Sequence, residues 1–368
     1  MFTSNKDTKG NISITLTQQA YIENLLFQLN LHGDEINCPS TPYHSGYPID
    51  NIPQKEYGEA QQQRLVKKMQ FLIGSLNWLS ISTRPDILMA VSLLAKFTHR
   101  PSQGHIDAAI RLVKYLKGTK TRGITFSNKS NNKLSSYVNF PIVDDIATAL
   151  ADANWGPQDQ SIVSTHIKST KQLDLFKTRS MSGYILWLNG PIHWVLKCQT
   201  YTAHSSAEAE IYATDECAKQ IKYLSLILHD INLKDTFMKQ ATPIYNDNRA
   251  CVLWAQALTS KGLHHVQIRE NGIQEMVHDG QLSIHHIEGK LNLADIFTKE
   301  DKDAAHFIDI RDQILSKRVA VTNMNVVDSS SQSSVSSSTA AYCSTGGCRN
   351  KYYTSNSMCI PSNTVTTT

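Results

Sequence analysis

The sequence predicts a mixed α/β sheet with flanking helices, preceded by a mainly helical segment. Three observations lead there. Between Ile146 and Lys299 the apolar patterning runs strand, hairpin, helix, strand, helix, helix, strand, helix, an order that builds a mixed sheet. From Gln61 to Gly118 apolar residues recur at helical spacing. Tyr201 to Asp230 reads as one long helix whose apolar stripe begins with a carboxylate.

At 368 residues the chain has room for two or three domains. A net charge of +4 is mildly basic, compatible with a nucleic-acid partner without requiring one. The seven cysteines are an odd number; Cys38, Cys198, Cys217 and Cys251 show no framework spacing, as in reduced thiols. No signal-peptide pattern opens the chain, and no apolar run approaches the ~20 residues of a membrane span. The expectation is a soluble intracellular protein without a membrane partner, cytoplasm and nucleus being equally open.

Residues 1–11 are polar and expected to be loose. Ile12 to Thr17 alternates as a strand, and Gln18 to Leu31 follows as a helix with Tyr21, Leu25, Leu26 and Leu29 inward. Residues 33–58 hold four prolines and read as a connection. The next helix carries Leu65, Met69, Leu72, Ile73, Leu76 and Leu79. It ends near Thr83-Arg84-Pro85-Asp86, where Thr83 and Asp86 suggest a capping box for a second helix reaching Thr98. Pro101-Ser102 opens a third, with Ile106, Ile110, Val113 and Leu116 inward. On another face Arg111, Lys114 and Lys117, continued by Lys120 and Arg122, form a row without an acid, a candidate phosphate-contacting stripe as well as a plain solvated face.

The run LIGSLNWLSISTRPDILMAVSLLAKFTHRPSQGHIDAAIRLVKYLKGT resembles the segment that follows the polymerase palm in copia-type LTR retrotransposon polyproteins. The resemblance covers residues 12–126, and implies a remnant of reverse transcriptase thumb and connection. The catalytic Tyr-x-Asp-Asp hairpin of that family belongs upstream of this segment, so polymerase activity is not expected. Pro141 to Ile146 echoes its acids, but with proline in place of the aromatic and out of order.

A second domain is expected over residues 133–316. Ile146 to Trp155 reads as a buried strand containing Asp152; residues 156–180 are a polar insertion. Ser182 to Leu188 and Ile192 to Lys197 form a hairpin across Asn189-Gly190. In the long helix Ser205 and Ser206 supply N-cap chemistry, and steps of four and three from Glu210 pass through Thr214, Cys217, Ile221, Leu224 and Leu228. Glu208 falls on a face with Tyr212, Asp215 and Lys219, expected to be wetter. Pro243 to Asn246 is a strand ending at Asp247, and Asn248 starts a helix. His264 to His278 is a further helix with Val266, Ile273 and Met276 inward. Gln281 to Ile287 is a strand, and Asn292 caps a final helix bearing Asp295.

Asp152, Glu210, Asp247 and Asp295 thus fall where elements of one sheet converge, at the carboxyl edge where such folds assemble sites. Acids gathered there repel one another, and hard oxygen-preferring cations, Mg²⁺ above all, relieve that; Mn²⁺ can substitute. Two ions ~4 Å apart suit in-line attack on a phosphodiester. Taken singly, each acid also suits a turn or a helix start. His264, His265, His285 and His286 lack a completing cysteine pair, so zinc is not expected.

The stretches ADANW at 151–155, RSMSGYILWLNGPIHW at 179–194, HSSAEAEIYA at 204–213, IYNDNRAC at 244–251 and HIEGKLNLADIFTK at 286–299 resemble, in order, the ribonuclease H domain of copia-type retrotransposons. The resemblance implies a ribonuclease H-like five-stranded mixed sheet. It carries the catalytic and metal-binding acids onto Asp152, Asp247, Asp295 and either Glu208 or Glu210; the phase of the stripe favours Glu210. It implies Mg²⁺-dependent cleavage of the RNA strand of RNA–DNA hybrids, with other proteins of the element as partners. Ser206, Asn248 and Arg249 neighbour the acids as candidate backbone contacts, and Arg111, Lys114 and Lys117 would grip the duplex farther along. The loop before Asp295 is short and lacks the histidine some cellular ribonucleases H carry there. The rival reading is a non-catalytic, hybrid-binding or inert relic; a transposase or integrase ranks lower. Residues 319–368, rich in Ser and Thr, are expected to be a disordered tail.

Overall fold

Two sheets organise the chain, and the second positions the acids. The computed structural model describes residues 2–6, 10–42, 49, 52–53, 55–128, 146–155, 179–257, 267–299 and 303–317. The Pro141–Asp145 acids, the 156–178 stretch, His264, His265, Val266 and the expected tail lie outside the described residues. Residues 1–321 form one compact unit.

The first sheet begins with β1 (Phe2–Lys6), within the stretch expected to be loose, paired antiparallel along its length with β2 (Ile12–Leu16). Helix α1 (Gln19–Gln28) follows and buries Ile22, Leu25 and Leu26. Tyr21, expected inward, is exposed; its neighbour Ile22 takes that place. Next come α2 (Glu59–Ser82), a 3₁₀ turn at Pro85–Ile87, α3 (Leu88–Ala95) and α4 (Gln103–Gly118). Leu65, Met69, Leu72, Leu76 and Leu79 of α2 are buried as the periodicity expects, and so are Ile106, Val113 and Leu116 of α4. β3 (Arg122–Ser127) then pairs with β2.

The expected capping box at Thr83 and Asp86 is absent. Thr83 Oγ1 donates instead to Gln18 Oε1 at 2.7 Å. Asp86 lies opposite Arg84, which donates Nε–H at 2.9 Å and Nη2–H at 2.7 Å; Tyr115 Oη donates to the same carboxylate at 2.6 Å. The Arg84 and Asp86 side chains are fully buried. Its remaining Arg84 bonds reach Thr119, through Nη1 to the carbonyl at 3.1 Å and through Nη2 to the hydroxyl at 2.7 Å. Buried charge needs this degree of saturation, which ties the 3₁₀ turn to the end of α4.

The second sheet comprises β4 (Thr148–Asn154), β5 (Met181–Trp187), β6 (Pro191–Cys198), β7 (Thr242–Asn246) and β8 (Leu282–His286), in the order β6-β5-β4-β7-β8. β5 is antiparallel to β4 and β6, whereas β4, β7 and β8 run parallel. This is the mixed five-stranded sheet expected. Its helices are α5 (Ser206–Asp230), α6 (Lys234–Phe237), α7 (Arg249–Gln256) and α8 (Gln267–His278). After β8 come a 3₁₀ turn at Gly289–Leu291, the short α9 (Asp295–Thr298), α10 (Ala304–Ile314) and β9 (Ser316–Lys317).

Strand alternation divides the sheet. Ala149, Ala151, Tyr184, Leu186, Ile244 and Ile284 pack with Cys217, Ala218 and Ile221 of α5. Leu150, Ile185 and Tyr245 join the other core, continuous with Phe297 of α9, Phe307 of α10 and the helical segment. Trp194 of β6 donates Nε1–H to the Ser80 carbonyl of α2 at 2.9 Å. α10 and β9, which the sequence reading did not anticipate, fold back onto the first sheet. β9 pairs with Arg122 and Gly123, Arg122 Nη1 meets Asp312 Oδ1 at 2.6 Å, and Arg311 Nη1 donates to the Ser40 carbonyl at 3.2 Å.

The Asn189-Gly190 turn forms with Asn189 at φ 56°, as a tight hairpin needs. Gly190 is required by close approach: a Cβ there would stand 2.4 Å from the Thr125 carbonyl oxygen of β3.

Candidate active site

Asp152 lies in β4, on the face shared with Leu150, so its side chain is fully buried and turned towards α9. Thr298 of α9 donates its hydroxyl to Asp152 Oδ2. Asp247 follows the last residue of the parallel strand β7, and Asp295 is the first residue of α9. One carboxylate oxygen from each of Asp152, Asp247 and Asp295 lies within 4.8 Å of the others. Oxygens sharing one Mg²⁺ stand at most roughly 4.2 Å apart, so a small closure fits these three to a hard divalent cation.

Two glycines make room for this convergence. Gly183 of β5 pairs in register with Asp152, and a Cβ there would meet Thr298 Cγ2 at 2.7 Å and Phe297 Cβ at 2.9 Å. The SMSGY stretch therefore lets α9 lie directly on the sheet. A Cβ on Gly289 would approach Asp247 Oδ2 to 3.0 Å.

Glu210 is buried near the start of α5 on the opposite side of the sheet, where Thr214, Cys217, Ile221 and Leu228 continue its stripe inward and Leu224 is half-buried. Asn246 Nδ2 donates to Glu210 Oε2 at 2.9 Å. Glu210, expected as the fourth acid, is not among the carboxylates that meet within 4.8 Å; the charges of Asp152 and Asp247 nevertheless act on it. Glu208, expected on a wetter face, is buried as well. Its carboxylate accepts from the His204 amide at 2.7 Å and the Tyr212 hydroxyl at 3.0 Å, while its own amide donates to Ser205 Oγ at 3.1 Å. Glu208 thus finishes the helix start, each of its oxygens accepting one of these bonds. Asp215, also buried, pairs with Lys219 at 2.6 Å.

Burial, with the Asp152 and Asp247 charges added to it, pushes the Glu210 carboxyl up to about 9, against the opposing Asn246 hydrogen bond. Burial and then Asp295 push Asp152 up to about 6, with Lys299 and Thr298 working the other way. Asp247 is raised by burial and Asp152; Asp295 is raised by burial and held back by Lys299. Acids with depleted solvent and mutual repulsion of this kind suit a cation site.

Lys299 and His306 escaped the sequence reading. Lys299 Nζ lies 2.8 Å from Asp295 Oδ1, 3.4 Å from Asp152 Oδ1 and 3.8 Å from Asp247 Oδ2. Burial opposes its charge, but the aspartates more than offset this and its pKa is raised. The i,i+4 spacing from Asp295 was the available signal. His306 of α10 brings Nε2 to 3.8 Å from Asp295 Oδ2, a histidine after the fourth acid in the chain. His286 lies with Nε2 3.1 Å from the Asp247 carbonyl oxygen.

Ser206 is exposed at the first position of α5, and Arg249 is exposed at the first position of α7. Asn248 caps α7, its Oδ1 accepting from the Cys251 amide at 3.1 Å. The basic row is partly engaged with the chain itself. Arg111 donates to the Thr41 carbonyl at 3.5 Å, Lys117 donates to the Gly33 carbonyl, and Lys120 pairs with Glu23 at 2.9 Å. Arg111 and Lys114 line a cavity of about 630 Å³ between α4 and the connecting segment.

No family model matches the chain. Over 230 residues, 62% of its length, it is 30% identical to the retrovirus-related Pol polyprotein from transposon RE1 of Arabidopsis thaliana. The corresponding polyprotein from transposon TNT 1-94 of Nicotiana tabacum is 25% identical over 300 residues, 77% of the chain. The chain is thus similar to Pol polyproteins of copia-type retrotransposons. It spans only 13% and 19% of those two relatives. It is also 30% identical over 155 residues to secreted RxLR effector protein 161 of Plasmopara viticola, covering 89% of that protein and 42% of this chain. Among solved structures, LC11-RNase H1 from compost is similar at 13% identity and a TM-score of 0.30, over 44% of this chain and 98% of that one. The chain itself carries a mixed five-stranded sheet with flanking helices.

Proposed function

We propose that this chain is a divalent-metal-dependent endonuclease that cuts the RNA strand of RNA–DNA hybrids, acting as part of a longer retrotransposon polyprotein. The observation that carries the reading is the meeting of Asp152, Asp247 and Asp295 with oxygens inside 4.8 Å, from elements far apart in sequence. Copia-type relationship adds support, because the three acids stand in the motifs quoted above. In this reading residues 12–126 are the thumb and connection remnant and residues 133–316 the nuclease domain.

Asp152, Asp247 and Asp295, together with Glu210, would hold Mg²⁺ or Mn²⁺, two ions in the full site. The bound cation supplies electrostatic stabilisation for the charge that develops on a phosphodiester under attack by water. The chain's own part is orientation. Thr298 fixes Asp152, Asn246 fixes Glu210, and the exposed starts of α5 and α7 offer Ser206 and Arg249 to the nucleic-acid backbone. Asn248 keeps α7 in register through its cap. Arg111, Lys114 and Lys117 enter the proposal as distal phosphate contacts. Each such contact removed lowers the salt slope of binding by about one.

Purified protein is incubated with end-labelled hybrid and Mg²⁺, beside Asp152→Asn and Glu210→Gln. Cleavage leaving 5′-phosphate and 3′-hydroxyl ends, lost in both variants with binding kept, is the expected outcome. Cleavage that survives both substitutions refutes the site. Binding without cleavage in the parent protein supports the non-catalytic alternative.

A further inference from the structure

Lys299 ends α9 four residues after Asp295, and its ammonium reaches oxygens of Asp295, Asp152 and Asp247 at 2.8, 3.4 and 3.8 Å. These are the same three carboxylates whose oxygens lie close enough to share a metal ion. The trio is too small to hold an ammonium and a divalent cation together, since the two positive charges would face each other at little more than contact distance. The Lys299 side chain is 43% exposed, so a path to solvent is open along its flexible stem. Asp152 keeps a partner if the lysine leaves, because Thr298 donates to its other oxygen.

We propose that Lys299 is a positioning residue that competes with the divalent cation for Asp152, Asp247 and Asp295, clamping the acids together until the cation displaces it. The inference rests on the metal-dependent reading of the same site. The lysine holds the three carboxylates at a spacing a cation can enter, and it sets a threshold concentration below which the cation does not enter. Loading then swings the ammonium outward to solvent along its half-exposed stem.

The test is Mn²⁺ affinity, read from the paramagnetic signal of free Mn²⁺, for the parent, Lys299→Met and Lys299→Arg. Removing the competing charge is expected to tighten binding by about tenfold or more in Lys299→Met. Lys299→Arg, which keeps the charge, stays within about threefold of the parent. Unchanged or weaker binding in Lys299→Met overturns the proposal. A second measurement uses the parent alone and so does not depend on a variant folding. The rate of Lys299 acetylation by a soluble acylating reagent, followed by mass spectrometry, rises several-fold on adding Ca²⁺, while Lys197 and Lys219 do not respond. A Lys299 rate that is unchanged or lower with Ca²⁺ overturns it equally. If neither the parent nor Lys299→Met binds Mn²⁺, both this proposal and the nuclease reading fall. Mn²⁺ binding by the parent that Asp152→Asn abolishes but Lys299→Met leaves unaltered removes only the role of the lysine.

Discussion

Replacing Asp86 by alanine tests how firmly the helical segment is anchored. The carboxylate accepts from Arg84 at 2.9 and 2.7 Å and from Tyr115 at 2.6 Å, all out of contact with solvent. The variant leaves a guanidinium at 0% exposure with the Thr119 carbonyl and hydroxyl and the Tyr115 ring as remaining partners, and removes the acceptor of the Tyr115 hydroxyl. Removing one partner of a buried ion pair costs about 3–5 kcal/mol, and an orphaned hydroxyl adds about 1–3. Because two of the Arg84 bonds survive, the expected loss is about 4 kcal/mol, read as a lowered urea midpoint at unchanged slope. The paired change Arg84→Met with Asp86→Leu, which leaves no charge buried, is expected to recover most of that. A loss below about 1 kcal/mol in Asp86→Ala would refute the reasoning. Since α9 packs on α3 and on the 3₁₀ turn bearing Asp86, Mn²⁺ affinity should fall as well.

Three further outcomes are expected. Asn246→Ala removes the Glu210 contact and the Oδ1 acceptor for the Asn248 amide, costing about 1–3 kcal/mol and suppressing hybrid cleavage more than hybrid binding. Gly183→Ala drives a Cβ to 2.7 Å from Thr298 Cγ2, so α9 must shift; unfolding should show a loss of about 1–3 kcal/mol, with weakened Mn²⁺ binding. Glu210 and Asp152 have raised pKa values, so between about pH 4 and about pH 9 the folded chain holds protons that the unfolded chain has released. Stability without divalent cations therefore falls as pH rises through that window. Thermal unfolding across pH should show this slope, flattened in Glu210→Gln; a slope of opposite sign would contradict the assignment.

Where apolar spacing decides, the sequence was readable. The stripes of α2 and α4 and the inward phase of Glu210 follow from period 3.6, and the strands that carry Asp152 and precede Asp247 from short apolar runs. Local rules failed where a distant partner took the side chain. Thr83 and Asp86 have the spacing of a capping box, but Gln18 and Arg84 claim them. Glu208 sits about 200° from Glu210 around the helix and is nevertheless buried, because the preceding turn folds over it. Asn292, expected to cap the last helix, turns inward and donates to the Ala151 carbonyl at 2.9 Å while accepting from the Ala294 amide, two residues on, at 3.1 Å. Lys299 is legible only as an i,i+4 partner of Asp295, and His306 acquires its meaning only from the three-dimensional neighbourhood of that acid.

The return of α10 and β9 to the first sheet bears on how such an element can evolve. A single crossover just after Lys299 would join the Arg122 of one parent to the Asp312 of the other, and likewise the Tyr115 ring to Phe307, 6.2 Å away. Viable hybrids should therefore carry breakpoints beyond Lys317, or compensating changes at Arg122.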